Sequence, residues 1–182
     1  MIYGRLPGFH LSELGRRQAD AAAERLIDSN IGAVWSSPLE RAQETAQAIA
    51  APHGLEVVTD DRLIESATTL EGIGRNVMAF ARAPKTWWSL RNPWSPSWGE
   101  SFKDIRARMM PAIREAIASA PGKEVVIVSH QTPVIVARLT LAKSRFPPWM
   151  GFTRCETGSI TTLELEGEAM VSAAYIEPVV NP

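Results

Sequence analysis

The sequence contains a single cysteine, which excludes an internal disulfide and any metal site built from several thiolates. It has no surplus of either charge: 19 Lys and Arg stand against 20 Asp and Glu, a formal net charge of −1. Without a basic excess, the counterion release that drives non-specific binding to DNA or RNA is missing, so no nucleic-acid partner is expected. Apolar runs stop far short of the ~20 residues that cross a bilayer, and no membrane partner is expected. No basic-then-apolar leader opens the chain, which predicts a cytoplasmic protein. Histidine is scarce, with three in 182 residues. The phosphate-cradling GxxxxGK[ST], the dinucleotide GxGxxG and the zinc-binding HExxH are all missing. So are internal repeats and low-complexity stretches.

What remains has the balance of an ordinary globule, 45% hydrophobic and 21% charged, and this excludes intrinsic disorder. The length suits one domain spanning residues 1–182. Helix and strand signals alternate, which predicts an α/β layered fold. Ser12 is placed to cap a helix over Leu14–Ile27. Ile31–Trp35 reads as a buried strand. Ser36-Ser37-Pro38 then reads as a helix start, with Ser37 the cap and Pro38 the first helical residue, running to about Ala50. Leu55–Val58 is a second strand and Ser101–Ala118 a further helix. Glu124–Ser129, nearly all apolar and rich in β-branched residues, predicts an interior parallel strand, with Pro133–Leu141 the helix after it. Ser159–Leu165 and Met170–Ile176 predict a closing antiparallel pair, turning at Glu166-Gly167.

Residues 66–99 differ from this pattern. They hold Trp87, Trp88, Trp94 and Trp98 along with Pro84, Pro93 and Pro96. A connection this long is usually functional or contains its own helix, for which Gly74–Ala83 is the candidate. It reads either as a lid over a site or as a packed Ω-loop anchored by its tryptophans.

Three residues stand where chemistry is expected. His130 directly follows the Glu124–Ser129 strand and precedes a helix. Ligands of parallel α/β sheets bind at such strand ends, where the positive end of a helix favours an anion. Arg41 has the same kind of address after Ile31–Trp35. Together they could hold a phosphate, the guanidinium bidentately and the imidazole by a further hydrogen bond. Glu65, after the second strand, could protonate a leaving group if burial or nearby anions raise its pKa. Plainer roles stay open: a helix-face ion pair of Arg41 with Glu40 or Glu44, a structural hydrogen bond for His130, a solvated carboxylate for Glu65. His10 and His53 lie in turn-like stretches. Cys155 has no evident base partner and is not expected to be a catalytic thiol.

The ordered set of segments resembles the histidine phosphatase superfamily, also called the phosphoglycerate mutase-like family. GRLPGFHLSELGRRQA (Gly4–Ala19) is similar to its first loop and helix. WSSPLERAQETA (Trp35–Ala46) is similar to its S-S-P-L-x-R-A-x-x-T segment. DDRLIE (Asp60–Glu65) matches the segment carrying its acid, and WGESF (Trp98–Phe102) its Gly-Glu-Ser before a long helix. VVIVSHQTPV (Val125–Val134) matches its second-histidine motif, with Gln131 where many members have Gly. The likeness is greatest to actinobacterial-type members and less to the glycolytic mutases. It implies a three-layer α/β/α sandwich, with a mostly parallel sheet and an antiparallel C-terminal strand.

One element of that pattern is missing. Members open with a strand ending in Arg-His-Gly or Arg-His-Ala, whose histidine is the nucleophile and whose arginine binds phosphate. This sequence begins at Met1-Ile2-Tyr3-Gly4, within the loop that follows the motif, and has no Arg-His pair anywhere. About 20 residues of strand and loop are unaccounted for, on normal element lengths. In the family that strand lies between the one before the second histidine and the C-terminal pair. Its loss would leave backbone donors and acceptors on both flanks, so a longer full-length chain is expected.

For the full-length form the resemblance implies a metal-independent phosphomonoesterase with no cofactor. The absent histidine would become phosphorylated, Arg41 and His130 would hold the phosphoryl oxygens, and Glu65 would move the proton. The 182-residue chain as given would then be inactive. A phosphorylated small molecule is the expected partner, and self-association stays open. Arg5, Trp87, Trp88 and Trp98 are the candidate substrate contacts, with Trp94, Arg75, Lys85 and Arg91 as further options. A phosphoglycerate-type mutase and a non-catalytic module that binds phosphorylated ligands remain as alternatives.

Overall fold

The computed structural model describes residues 3–68, 99–144, 154–167 and 169–178. Residues 69–98 of the predicted lid, with Gly74–Ala83 and all four of its tryptophans, lie outside them, as do Arg75, Lys85 and Arg91. Four helices and five strands are formed by the described residues. In chain order they are α1 (Glu13–Arg25), β1 (Ile31–Ser36), α2 (Glu40–Ala50), β2 (Val57–Thr59), α3 (Phe102–Ser119), β3 (Glu124–Val128), α4 (Gln131–Leu141), β4 (Ile160–Glu166) and β5 (Ala169–Ile176).

The helices form where apolar residues recur at three- and four-residue spacing behind a capping side chain. Ser12 Oγ accepts from the Gly15 amide at 3.1 Å, which satisfies one of the unpaired donors at the start of α1. The helix then buries Gln18, Ala19, Ala22 and Ala23 along one stripe. Ser101 caps α3 in the same way through the Asp104 amide, and this helix buries Ile105, Met109, Ala112, Ile113 and Ala116.

β1 is the centre of a parallel sheet in the order β2-β1-β3. Strand alternation sorts its side chains to two faces. Val34, Val126 and Val128 pack with Ala22, Ala23, Ala46 and Ile49 of α1 and α2. Trp35 and Ile127, one residue out of phase, pack with Ile105, Met109 and Val136 of α3 and α4. The result is the predicted α/β/α layering. Residues 3–12 carry turns and no strand.

The expected antiparallel C-terminal pair is present. β4 and β5 pair with each other, from Ile160↔Ile176 to Glu166↔Ala169, and form a separate two-stranded sheet. Among the described residues β3 pairs with β1 alone. The turn itself is as predicted: Gly167 takes φ +62°, a left-handed conformation that costs glycine little.

A correction concerns α2. It begins at Glu40, not Pro38, because Leu39 is extended (φ −73°, ψ 137°) and stands at the N-cap without a side-chain hydrogen bond. Ser37 does not cap the helix. Its hydroxyl accepts from the Leu39 amide at 3.3 Å and serves the site described below.

Candidate active site

Parallel strands bring their carboxyl ends to one edge of a sheet, and here those of β1 and β3 are in register at Ser36↔Val128. The Ser37 amide donates to the Val128 carbonyl at 2.9 Å, so the pairing continues one residue past the strand. This places the fully buried Ser37 beside His130, whose Nε2 lies 2.7 Å from Ser37 Oγ. His130 holds the N-cap position of α4 in extended conformation, without a side-chain cap bond. Pro133, in the first turn, has no N–H to leave unpaired there.

Arg41 projects from the first turn of α2. Its Nη2 donates to the Gly4 carbonyl at 2.8 Å, while Nη1 is buried without a hydrogen-bond partner. The ion pairs open to it from sequence are not what forms. Glu40 instead accepts from the Gly8 amide at 2.9 Å. Glu44 accepts from the Leu11 amide at 3.0 Å and bonds the His10 ring. Those two carboxylates fasten residues 8–11 to α2 and leave Arg41 facing the strand ends.

Glu65 follows a short 3-10 turn at Asp61–Leu63. It is partly buried, not solvated, and accepts from the Ser66 amide at 2.7 Å and the Ser66 hydroxyl at 3.1 Å. Burial pushes its pKa up, against the opposing pull of Ser66, Arg41 and Arg108. Burial also leads in holding the His130 pKa down to about 3, followed by the charges of Arg41 and Arg108. His130 is therefore neutral at pH 7, with one ring N–H to donate. Arg41 acts electrostatically on both groups, so the three expected residues lie near one another at the sheet edge.

Arg5 reaches the same place. Its Nε donates to the Glu65 carbonyl at 2.6 Å and its Nη2 to Glu100 Oε2 at 2.8 Å. The candidate contacts Trp87, Trp88 and Trp98 lie outside the described residues. Three participants went unnoticed in the sequence. Ser37 read as a helix cap, though its place before Pro38 at a strand end is a usable signal. Glu100 lies in the Gly-Glu-Ser segment that was noted without a role. Arg108 carries no local signal, being one of several cations on α3. Cys155 is half-buried, and burial raises its thiol pKa, which makes it a poor nucleophile. Among the described residues no three His, Cys, Asp or Glu side chains converge to hold a metal ion.

Known proteins share this architecture. A Mycobacterium tuberculosis protein of uncharacterized function is 50% identical over 182 residues, spanning 98% of this chain and 89% of its own length. The glucosyl-3-phosphoglycerate phosphatase of the same species is 35% identical over 147 residues, 75% of this chain and 65% of the relative. The native structure of the mycobacterial glucosyl-3-phosphoglycerate phosphatase superposes with TM-score 0.76 at 31% identity, covering 96% of this chain and 88% of that one. The α-ribazole phosphatase of Shigella flexneri shares the fold, with TM-score 0.75 at 23% identity over 93% of this chain and 85% of that one. The histidine phosphatase superfamily (branch 1) profile matches residues 1–177. With the sheet edge, the phosphatase relatives and a match over nearly the whole sequence in agreement, this chain belongs to the histidine phosphatase superfamily.

Proposed function

We propose that this protein is a phosphomonoester hydrolase acting on a phosphorylated small molecule, with Arg41, His130 and Glu65 as its phosphate-binding and proton-transfer groups. The observation that carries this reading is their convergence at the joined ends of β1 and β3. Arg41 has a buried Nη1 without a partner, a donor that a phosphoryl oxygen would satisfy. Neutral His130 donates one N–H to a second oxygen. Both meet charge as it spreads over the oxygens in the transition state.

The nucleophile in this reading is a histidine that follows an arginine on a strand beside β3, a pair these 182 residues do not contain. Its ring nitrogen attacks phosphorus in line, and the bond from phosphorus to the leaving oxygen breaks. Glu65, whose pKa burial raises, gives that oxygen its proton. Water then attacks the phosphohistidine, Glu65 takes a proton from the water, and the P–N bond breaks to release inorganic phosphate and the free histidine. The phosphate of glucosyl-3-phosphoglycerate, the substrate class of the 35%-identical relative, is a reasonable first compound to assay.

The test begins with the intact mass of the protein from its native cells. A mass about 2 kDa above the calculated 20.0 kDa fits a further strand and loop of normal length. Phosphate release by that protein should fall at least ~100-fold in Arg41→Ala and in His130→Ala. Normal turnover in both variants overturns the assignment. Transfer of phosphate between substrate positions, without release, would select a mutase instead.

A further inference from the structure

Glu100 stands behind Glu65 in an arrangement of ion pairs that the phosphate-binding residues do not account for. Its two oxygens divide between two arginines from distant parts of the chain. Oε2 accepts from Arg5 Nη2 at 2.8 Å and from Arg108 Nη2 at 2.9 Å, and Oε1 accepts from Arg108 Nε at 2.7 Å. Both arginines also reach the backbone of the Glu65 segment. Arg5 Nε donates to the Glu65 carbonyl at 2.6 Å, and Arg108 Nη1 donates to the Arg62 carbonyl at 2.6 Å. Glu100 and Arg108 are about 15% exposed, so water screens this network weakly.

The position of Glu100 is built as carefully as its bonds. Its amide donates to the Ala67 carbonyl at 2.9 Å, and Gly99 forms an antiparallel bridge with Thr68. A Cβ at Gly99 would stand 2.5 Å from the Ala67 oxygen, so only glycine allows this approach. The chain is thus stitched to the Glu65 segment immediately beside the carboxylate that holds both arginines.

We propose that Glu100 is a positioning residue for Glu65: by pairing with Arg5 and Arg108 it fixes the Glu65 backbone and offsets the Arg108 charge that faces the Glu65 carboxyl. This rests on the reading of Glu65 as the acid. Among the described residues, the charged and titratable groups around Glu65 are Arg41 from α2, Arg108 from α3, Arg5 from the N-terminal loop, Glu100, Cys155 and His130. Without the Glu100 charge, the Arg108 guanidinium acts on Glu65 without the carboxylate that now pairs with it, which favours the Glu65 carboxylate and weakens it as an acid.

The experiment follows the Glu65 carboxyl by 13C NMR titration in the 182-residue chain, which needs no turnover. In Glu100→Gln the Glu65 midpoint should fall by about one pH unit, a tenfold change in its ionisation constant. Glu100→Asp, which keeps the charge, should restore most of the difference. An unchanged midpoint in Glu100→Gln overturns the proposal. Should Glu100→Gln fail to fold, Arg108→Gln reads the same network in reverse: removing that cation should raise the midpoint, and an unmoved one overturns the proposal equally. The parent chain tests the underlying reading separately, because a Glu65 that titrates at the ordinary carboxylate value there removes the case for Glu65 as the acid, whatever the variants do.

Discussion

The parallel sheet and the C-terminal hairpin are both made of strand-forming sequence, yet they use it differently. In β1, Val34 is fully buried between strands on both sides and helices on both faces. In β5, Val171 is 53% exposed, and among the described residues its strand pairs with β4 alone. Every candidate catalytic residue lies on the first of these regions or the turns leaving it. A phosphate pocket needs side chains held to within a fraction of an ångström, and close packing supplies that. The segment leading into the hairpin meets the start of α4, where Gln131 Nε2 donates to the Cys155 carbonyl at 3.0 Å.

The sharpest break of this comparison is Met109→Ala. Met109 is 1% exposed between α3 and the sheet, so the substitution should cost about 2–5 kcal/mol in urea unfolding. A smaller loss would mean that this layer packs loosely and does not rigidify the site.

The next effect is a pH dependence confined to the sheet edge. The His130 pKa is about 3 in the folded chain and about 6.5 when unfolded. Between those values the unfolded chain holds more protons, so stability falls as pH drops through the window. Glu65 opposes this. Its folded pKa is raised, so its contribution is present at low pH and lost as pH rises through that folded value. His130→Gln should flatten the acid side of the stability profile, where one proton changes the unfolding constant by at most about tenfold per pH unit. Urea titrations at a series of pH values check this. A parallel loss in variant and parent places the acid sensitivity elsewhere.

The smallest effect belongs to the hairpin. Val171→Thr should change unfolding free energy by no more than about 0.5 kcal/mol. A clear loss of stability would show that β5 is covered in solution by something outside the described residues.

The two regions also differ in how far the sequence disclosed them. Regular elements were legible because each is a local pattern: Ser12 and Ser101 cap their helices, and β3 is read from its run of β-branched residues. The hairpin was legible down to its Glu166-Gly167 turn. The start of α2 was not, because Ser37 and Pro38 satisfy the local rule for a helix start while Ser37 is taken by a residue 93 positions away. Arg41, Glu65 and His130 were singled out by their places after strands, and the structure sets them near one another. Glu100 and Arg108 were not found as partners, since an ion pair among Arg5, Glu100 and Arg108 exists only once α3 and the N-terminal loop are assembled. The division into two sheets was equally hidden, because a strand's sequence does not name its neighbour.

The bond from Arg41 to the Gly4 carbonyl has a consequence for how ligands arrive. A carbonyl orients the guanidinium without cancelling its charge, and Arg41 forms no ion pair among the described residues. An anion that reaches this sheet edge therefore meets a guanidinium held by a carbonyl, with the Glu65 and Glu40 charges as its carboxylate neighbours. The field of a guanidinium steers anions during diffusion and weakens as added salt screens it. The association rate of a phosphate ester should accordingly fall with ionic strength, while a neutral analogue of the same size arrives at an unchanged rate.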